Sequence, residues 1–206
     1  MGTFNKISEN TFKQLQMNAG VILKDFDPEK ATLVTSDIIG ATSGGISVTA
    51  TPAFTDFGED IDNVPANMKE LKKLESWEFK ASGTFISVTV DSAKSLIGLG
   101  DIDAKDSTKI VVRNEVKQDD FNDIWIVGDY GDTDGGFMAC HLKNALSTGG
   151  FSLQTGDDSK GQFSFEYTAH YSIDNQDEDP FEIYIKSADA TGTSTTKTTT
   201  TKAVTD

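Results

Sequence analysis

Residues 161–174 alternate without a break. Phe163, Phe165, Tyr167, Ala169, Tyr171 and Ile173 fall on one side of an extended chain, and Ser164, Glu166, Thr168, His170 and Ser172 fall on the other. Successive side chains of a strand point to opposite faces, so a period of two describes a sheet with one buried and one open side. A helix would scatter this apolar set around its circumference, so the stretch commits the chain to a core built from sheets. The pattern recurs from residue 45, where Ile46, Val48 and Ala50 share a face opposite Ser47, Thr49 and Thr51.

Residues 74–90 read as a long strand with one irregularity. Trp77, Phe79 and Ala81 are at odd positions and Ile86, Val88 and Val90 at even ones, so a one-residue bulge or bend near Gly83 would keep a single side buried. Residues 109–113, 123–127 and 136–146 read as further strands, Phe181, Ile183 and Ile185 as a last short one, and 19–26 as extended up to Asp27-Pro28. Helical signals are few. Phe12 and Leu15 behind Ser8 predict a short helix over 7–17, and Asp91 is placed to cap another over 92–99, closed by Gly100. With no internal repeat, the expected fold is mostly β: a single β-sandwich or flattened barrel over residues 1–186 with a short flanking helix.

Two stretches stand outside that core. The first, 55–72, is a long inter-strand loop far exceeding a hairpin turn, and connections of that length are usually functional. Its charge is split, with Asp56, Glu59, Asp60 and Asp62 first and Lys69, Lys72 and Lys73 later. Phe57, Ile61, Val64, Met68 and Leu71 are spaced among them. A purely solvated loop rarely keeps five apolar residues, so these twelve positions are the candidate site: the apolar ones either pack back on their own domain or dock on a neighbouring subunit, ordering only in the assembly. The second stretch, 187–206, is almost wholly Thr, Ser, Ala, Gly and Lys. It lacks the apolar residues to build a core and reads as a disordered, flexible C-terminal tail.

The chemistry that would mark an enzyme or a metalloprotein is thin. Cys140 and His141 are adjacent in a predicted strand and so point to opposite faces, a poor catalytic dyad; Cys140 is expected to fill the core between Met138 and Leu142. His170 falls on the polar side of its strand. The Asp129–Gly135 stretch faintly resembles a calcium loop but puts Tyr130 at the first ligand and His141 at the bidentate one, so a turn between strands is expected. Asp101, Asp103 and Asp106 read as a solvated loop. Cofactors and metals are therefore expected to be none. A lone cysteine excludes an internal disulfide framework and suits a reducing compartment. There is no apolar run of membrane-spanning length and no leader-like opening. The formal net charge of −15 with Arg113 as the only arginine opposes tight binding of nucleic acid, which needs a basic footprint.

The stretch 40–63, GATSGGISVTATPAFTDFGEDIDN, resembles the major tail (tail tube) proteins of long-tailed phages of Gram-positive hosts. So do 69–78, KELKKLESWE, with Gly83 and Thr84 after it, and NAGV at 18–21. The matches run in order over most of residues 1–186; the Thr-rich tail is not among them. The resemblance implies a β-sandwich with a flanking short helix. It implies copies closing into hexameric rings by extending their sheets across subunit boundaries, and rings stacking into the tube down which the genome passes. It implies a location in the virion tail after assembly in the host cytoplasm. The partners implied are further copies of the chain, a tape measure protein and a tail terminator, with DNA passing without tight binding. Two rival readings share the architecture: the tube protein of a tailocin or injection-type particle, and a β-sandwich carbohydrate-binding or adhesin module. The latter predicts exposed aromatics on a flat face, whereas Trp77 and Trp125 lie in apolar runs and are expected in the core.

Overall fold

The computed structural model describes residues 8, 11–16, 18–131 and 135–187. The Thr-rich end after residue 187, the expectation of a tail there, and part of 7–17 lie outside these residues. Eleven strands appear in chain order: β1 Val21–Leu23, β2 Ile38–Gly40, β3 Thr42–Asp56, β4 Lys72–Phe85, β5 Gly100–Asp103, β6 Asp106–Val112, β7 Asn122–Asp129, β8 Phe137–Ser147, β9 Ser152–Gln154, β10 Gln162–Thr168 and β11 Phe181–Lys186. A single α-helix, α1 Val90–Ile97, is found among the described residues. The chain is a mostly-β sandwich, as the alternation predicts. One sheet runs β2-β1-β7-β8-β11. The other runs β3-β4-β10, with β9 also on β10, and β5 and β6 form a separate hairpin. All these pairings are antiparallel. Strand β8 belongs to both sheets. Its first half lies between β7 and β11, while Leu146 and Ser147 pair with Thr168 and Tyr167 of β10.

Between the sheets, Ile22, Ile124, Ile126, Cys140 and Leu142 face Phe79, Ala81, Phe85, Phe165 and Tyr167, and Leu96 of α1 closes one end. The rings of Phe85 and Phe165 lie 4.4 Å apart and those of Phe79 and Phe181 stack at 5.0 Å. Cys140 is in this core, as expected. The first sheet is also covered on its far side. Phe26 packs there against Trp125 and Phe137, with Leu23 and Ala139. Burial on both faces is why β7 reads as a continuous apolar run, Ile124-Trp125-Ile126-Val127, instead of an alternation. Trp125 is buried and Trp77 half-buried against the core. Among the described residues, nothing forms a second apolar layer on the far side of the second sheet. It presents Ser47, Thr49 and Thr51 on β3, Ser82 and Thr84 on β4 and Ser164 and Thr168 on β10, with Glu78, Lys80 and Glu166 as its charges.

Several expected boundaries shift. Strand β4 carries no bulge at Gly83 and keeps its odd positions inward through Phe85. The irregularity lies in the facing strand, where Thr42 pairs with Phe85 but Ile46 with Gly83. Gly44 and Gly45 take up the extra length at φ +81° and +86°, a region open to glycine. Gly83 has another reason to be glycine: a Cβ there would sit 2.7 Å from Cζ of Phe165. Residues 86–89 lead into the helix, which begins two residues before the expected 92 because Thr89, not Asp91, caps it. The Thr89 hydroxyl accepts from the Ser92 amide at 3.2 Å and the Ser92 hydroxyl accepts from the Thr89 amide at 2.7 Å, a capping box. Gly98 at φ +74° ends it, not Gly100. Of the 7–17 helix, the described part is a 3-10 turn at Thr11–Gln14.

The strand expected over 161–174 stops at Thr168. Asn144 hooks the next residues, donating to the His170 carbonyl at 3.3 Å, so Tyr171 and Ile173 leave the core and are exposed despite their parity. Asp101, Asp103 and Asp106 are not a loop but belong to the β5–β6 hairpin, where Asp101 meets Arg113 at 3.0 Å and Lys117 at 2.9 Å. The short strands β2 and β9 have no counterpart among the expected ones.

Candidate assembly arm

Strand β10 pairs with β4 only from Lys80 to Phe85, and Ala169 adds one bond to the Phe79 carbonyl at 3.0 Å. Strands β3 and β4 continue past that point as a two-stranded arm, paired only with each other: Thr51 with Glu78, Pro52 with Trp77, Ala53 with Ser76, Phe54 with Leu74, Thr55 with Lys73 and Asp56 with Lys72. The twelve candidate positions are thus split. Asp56, Lys72 and Lys73 are strand residues, whereas the expectation gave a loop over 55–72; the connecting loop is residues 57–71.

That loop is built, not slack. Asp56 Oδ1 accepts from the Gly58 amide at 2.9 Å and its Oδ2 from the Asn67 amide at 2.8 Å, and these donors hold its carboxyl below the usual carboxylate range. The Phe57 amide donates to the Leu71 carbonyl at 3.0 Å, and Ile61, Val64 and Leu71 close successive turns on Gly58, Ile61 and Met68. Val64 and Leu71 fold back over Gly58, where a Cβ would come within 2.9 Å of Leu71 Cδ1 and 3.5 Å of Val64 Cγ1. Its own backbone bonds and the Val64–Leu71 pair over Gly58 shape the segment within one chain.

The other apolar candidates are left outside. Phe57 is 58% exposed, Ile61 49% and Met68 38%, joined by Phe54 at 52% and Leu74 at 42%. Phe54 and Leu74 lie on the side of the ribbon that Phe79 and Ala81 occupy farther along, so the core's apolar face runs out along the arm beyond the opposing sheet. Glu59, Asp60, Asp62 and Lys69 are exposed; Lys69 lies 3.4 Å from Glu70. Lys72 reaches over the Phe54 ring at 5.4 Å and donates to Asn67 at 3.3 Å. The split charges therefore do not pair across the loop, except where Asp56 and Lys72 face each other. Phe54 and Leu74 were missed from sequence because both fall inside strands.

Other constellations are structural in geometry. His141 points away from Cys140, stacks on Trp125 at 3.8 Å, and has Asp123 at 3.0 Å on Nε2 and Glu182 at 3.6 Å from Nδ1. Glu182 also takes a bond from Lys143 at 2.7 Å and one from the Tyr184 hydroxyl. Burial would raise its pKa, but these donors outweigh it and lower it to about 2, and the Tyr184 phenol, tied to that carboxylate, is pushed up to about 12. Among the described residues, no three of His, Cys, Asp or Glu are grouped to hold a metal, and no helix is long and apolar enough to cross a membrane. No known family model matches the chain, and no curated protein matches its sequence.

Proposed function

We propose that the chain is a structural subunit that associates with copies of itself, as the phage tail tube subunit it resembles does: stacked hexameric rings in the virion tail, enclosing the path of the genome and contacting tape measure and terminator proteins. The observation that carries this reading is the arm. Phe54, Leu74, Phe57, Ile61 and Met68 extend an apolar face past the body, and a monomer gains nothing from keeping such a surface in water. The open strand edges support it, since among the described residues β3 pairs only with β4 and β11 only with β8, and unpaired edges are natural templates for a neighbouring strand. The only arginine supports a wall that does not grip DNA. Arg113 is 14% exposed and spent on Asp120 and Asp101, leaving no guanidinium fork for phosphate in a chain of net charge −15.

Sedimentation and negative-stain electron microscopy over rising concentration test the reading. Rings or tubes are expected. A chain that stays monomeric throughout, with no larger species at any concentration, overturns it. Duplex DNA is expected to show no sub-micromolar, salt-dependent binding by anisotropy.

A further inference from the structure

Resting on that reading, and naming its regulation, we infer that copies meet along two uncharged edges of the second sheet and that ionic strength gates the contact. Residues 38–55 and 144–156 are the two longest runs in the chain without an Asp, Glu, Lys, Arg or His. They are far apart in sequence, yet the fold places them at opposite ends of one sheet. Strand β3 supplies one edge. The other is the backbone from Thr148 to Gln154. The Thr148 and Gly149 amides donate to the Glu166 carbonyl at 2.9 and 3.3 Å, and Ser152–Gln154 pair with Gln162–Ser164 of β10. Among the described residues, neither edge has a strand on its outer side.

Free edges are ordinarily blunted by charge, proline or a bulge. From Ile46 to Thr51, between the irregularity at Gly44-Gly45 and Pro52, β3 has none of these. Ser152, Leu153 and Gln154 carry no charge or proline either, and all three are exposed. The edges of the first sheet differ: Asp37 stands beside β2, and β11 carries Glu182 and Lys186. Direction and parity of the two uncharged edges agree. Strands β3, β4, β10 and β9 alternate in direction. A copy brought alongside by rotation about an axis along the strands therefore presents its 148–154 edge antiparallel to β3, and the sheet continues unreversed. Ile46 and Val48 lie on the core side of the sheet, as does Leu153 opposite Phe163. Leu153 is 50% exposed, and Phe151, whose ring lies 5.9 Å from that of Phe163, is 46% exposed. A neighbour's β3 brings Ile46 and Val48 beside them, joining apolar side to apolar side. The chain itself thus supplies the occupant of each edge: the other edge of a second copy, matched in neutrality, direction and parity. Two different edges make the contact head-to-tail.

Each copy carries a net charge of −15, so approach at low salt is opposed by the whole of both charges. Edges without charge offer no ion pair to offset that repulsion. Salt removes it, since the Debye length falls from about 30 Å at 0.01 M to about 3 Å at 1 M. Assembly is held off at low ionic strength and released by screening, the reverse of a salt-bridged interface.

Sedimentation velocity at one protein concentration across that salt range tests the gate. The wild-type chain is expected to associate at least about tenfold more tightly at the high end. Thr49→Asp and Ser152→Asp each put a carboxylate at an exposed position of one edge and are expected to weaken association at least about tenfold at every salt concentration. Ser107→Asp adds the same charge on the β5–β6 hairpin, exposed and away from both edges, and is expected to follow the wild type. Association that is unchanged or tightened as salt is removed overturns the gate. Edge variants that associate like Ser107→Asp overturn the edges; both results leave self-association standing. A wild-type chain that is monomeric at every salt concentration overturns the self-association reading as well. Should Thr49→Asp unfold by circular dichroism, Ser152→Asp, in an exposed strand of three residues, decides alone.

Discussion

The hairpin of β3 and β4 is one ribbon with two fates. In its proximal half, Ile46, Val48, Phe79, Ala81 and Phe85 meet the opposing sheet and pack in or against the core. In its distal half, Phe54 and Leu74 continue the same face and stay half in water. The two strands stay paired through both halves, and a register shift at Ala53/Phe54 moves β4 from odd to even positions while leaving Leu74 opposite Phe54. What differs is whether anything stands opposite. Strand alternation therefore states which face is apolar, while the identity of what covers it is decided by how far the second sheet reaches.

Matched substitutions sharpen the comparison. Phe85→Ala empties a fully buried position between Phe165 and Gly40 and is expected to cost about 3–5 kcal/mol by chemical denaturation. Gly83→Ala, beside it, forces a methyl toward Phe165 and is expected to cost about 1–3 kcal/mol, with the Phe165 ring displaced. Glu182→Gln removes the acceptor of Lys143 and Tyr184; with 37% of the Glu182 side chain in water, screening limits the loss to about 1 kcal/mol or less at neutral pH. Its sign is testable. The carboxylate's pKa falls on folding, from its ordinary value of 4.5 to about 2, so it stabilises above about 4.5 and loses that contribution as pH falls toward 2. The variant should flatten the melting-temperature profile across that window, and an unchanged acid slope would show that the carboxylate is not held there. Phe54→Ala, on the arm, is expected to change stability least, by about 0.5 kcal/mol, while abolishing self-association. A Phe54→Ala loss as large as that of Phe85→Ala would mean the arm is part of the folding unit and break the contrast.

Much of this was legible in the residues. The alternation at Phe163, Phe165 and Tyr167 gave β10 and its buried side, and Met138, Cys140 and Leu142 gave the inward face of β8. Boundaries were less legible where a competing hydrogen bond took over: the hook of Asn144 on His170, and Thr89 with Ser92 outcompeting Asp91 as the cap. The three-residue strands β2 and β9 carry too few positions to show a period. For the arm, the apolar content of 57–71 was visible, but Val64 and Leu71 looked like Phe57 and Ile61 until Gly58 was seen beneath them. Ile183 and Ile185 read as part of a last short strand, and their exposure was not legible, because a sequence does not record which side chains of a strand stay uncovered.

The sharing of β8 between both sheets has a mechanical meaning. In a sandwich held by side chains alone, the layers can slide, since apolar contacts resist separation better than they resist shear. Here a single backbone crosses from one layer to the other, bonded to β7 and β11 at one end and to β10 at the other. A load applied through the arm travels along β4 into β10 and reaches the second layer through covalent chain and ladder bonds pulled lengthwise, several at once. The body should therefore transmit force as a stiff block, and any bending under load should appear where the ribbon leaves it, between Phe79 and Trp77.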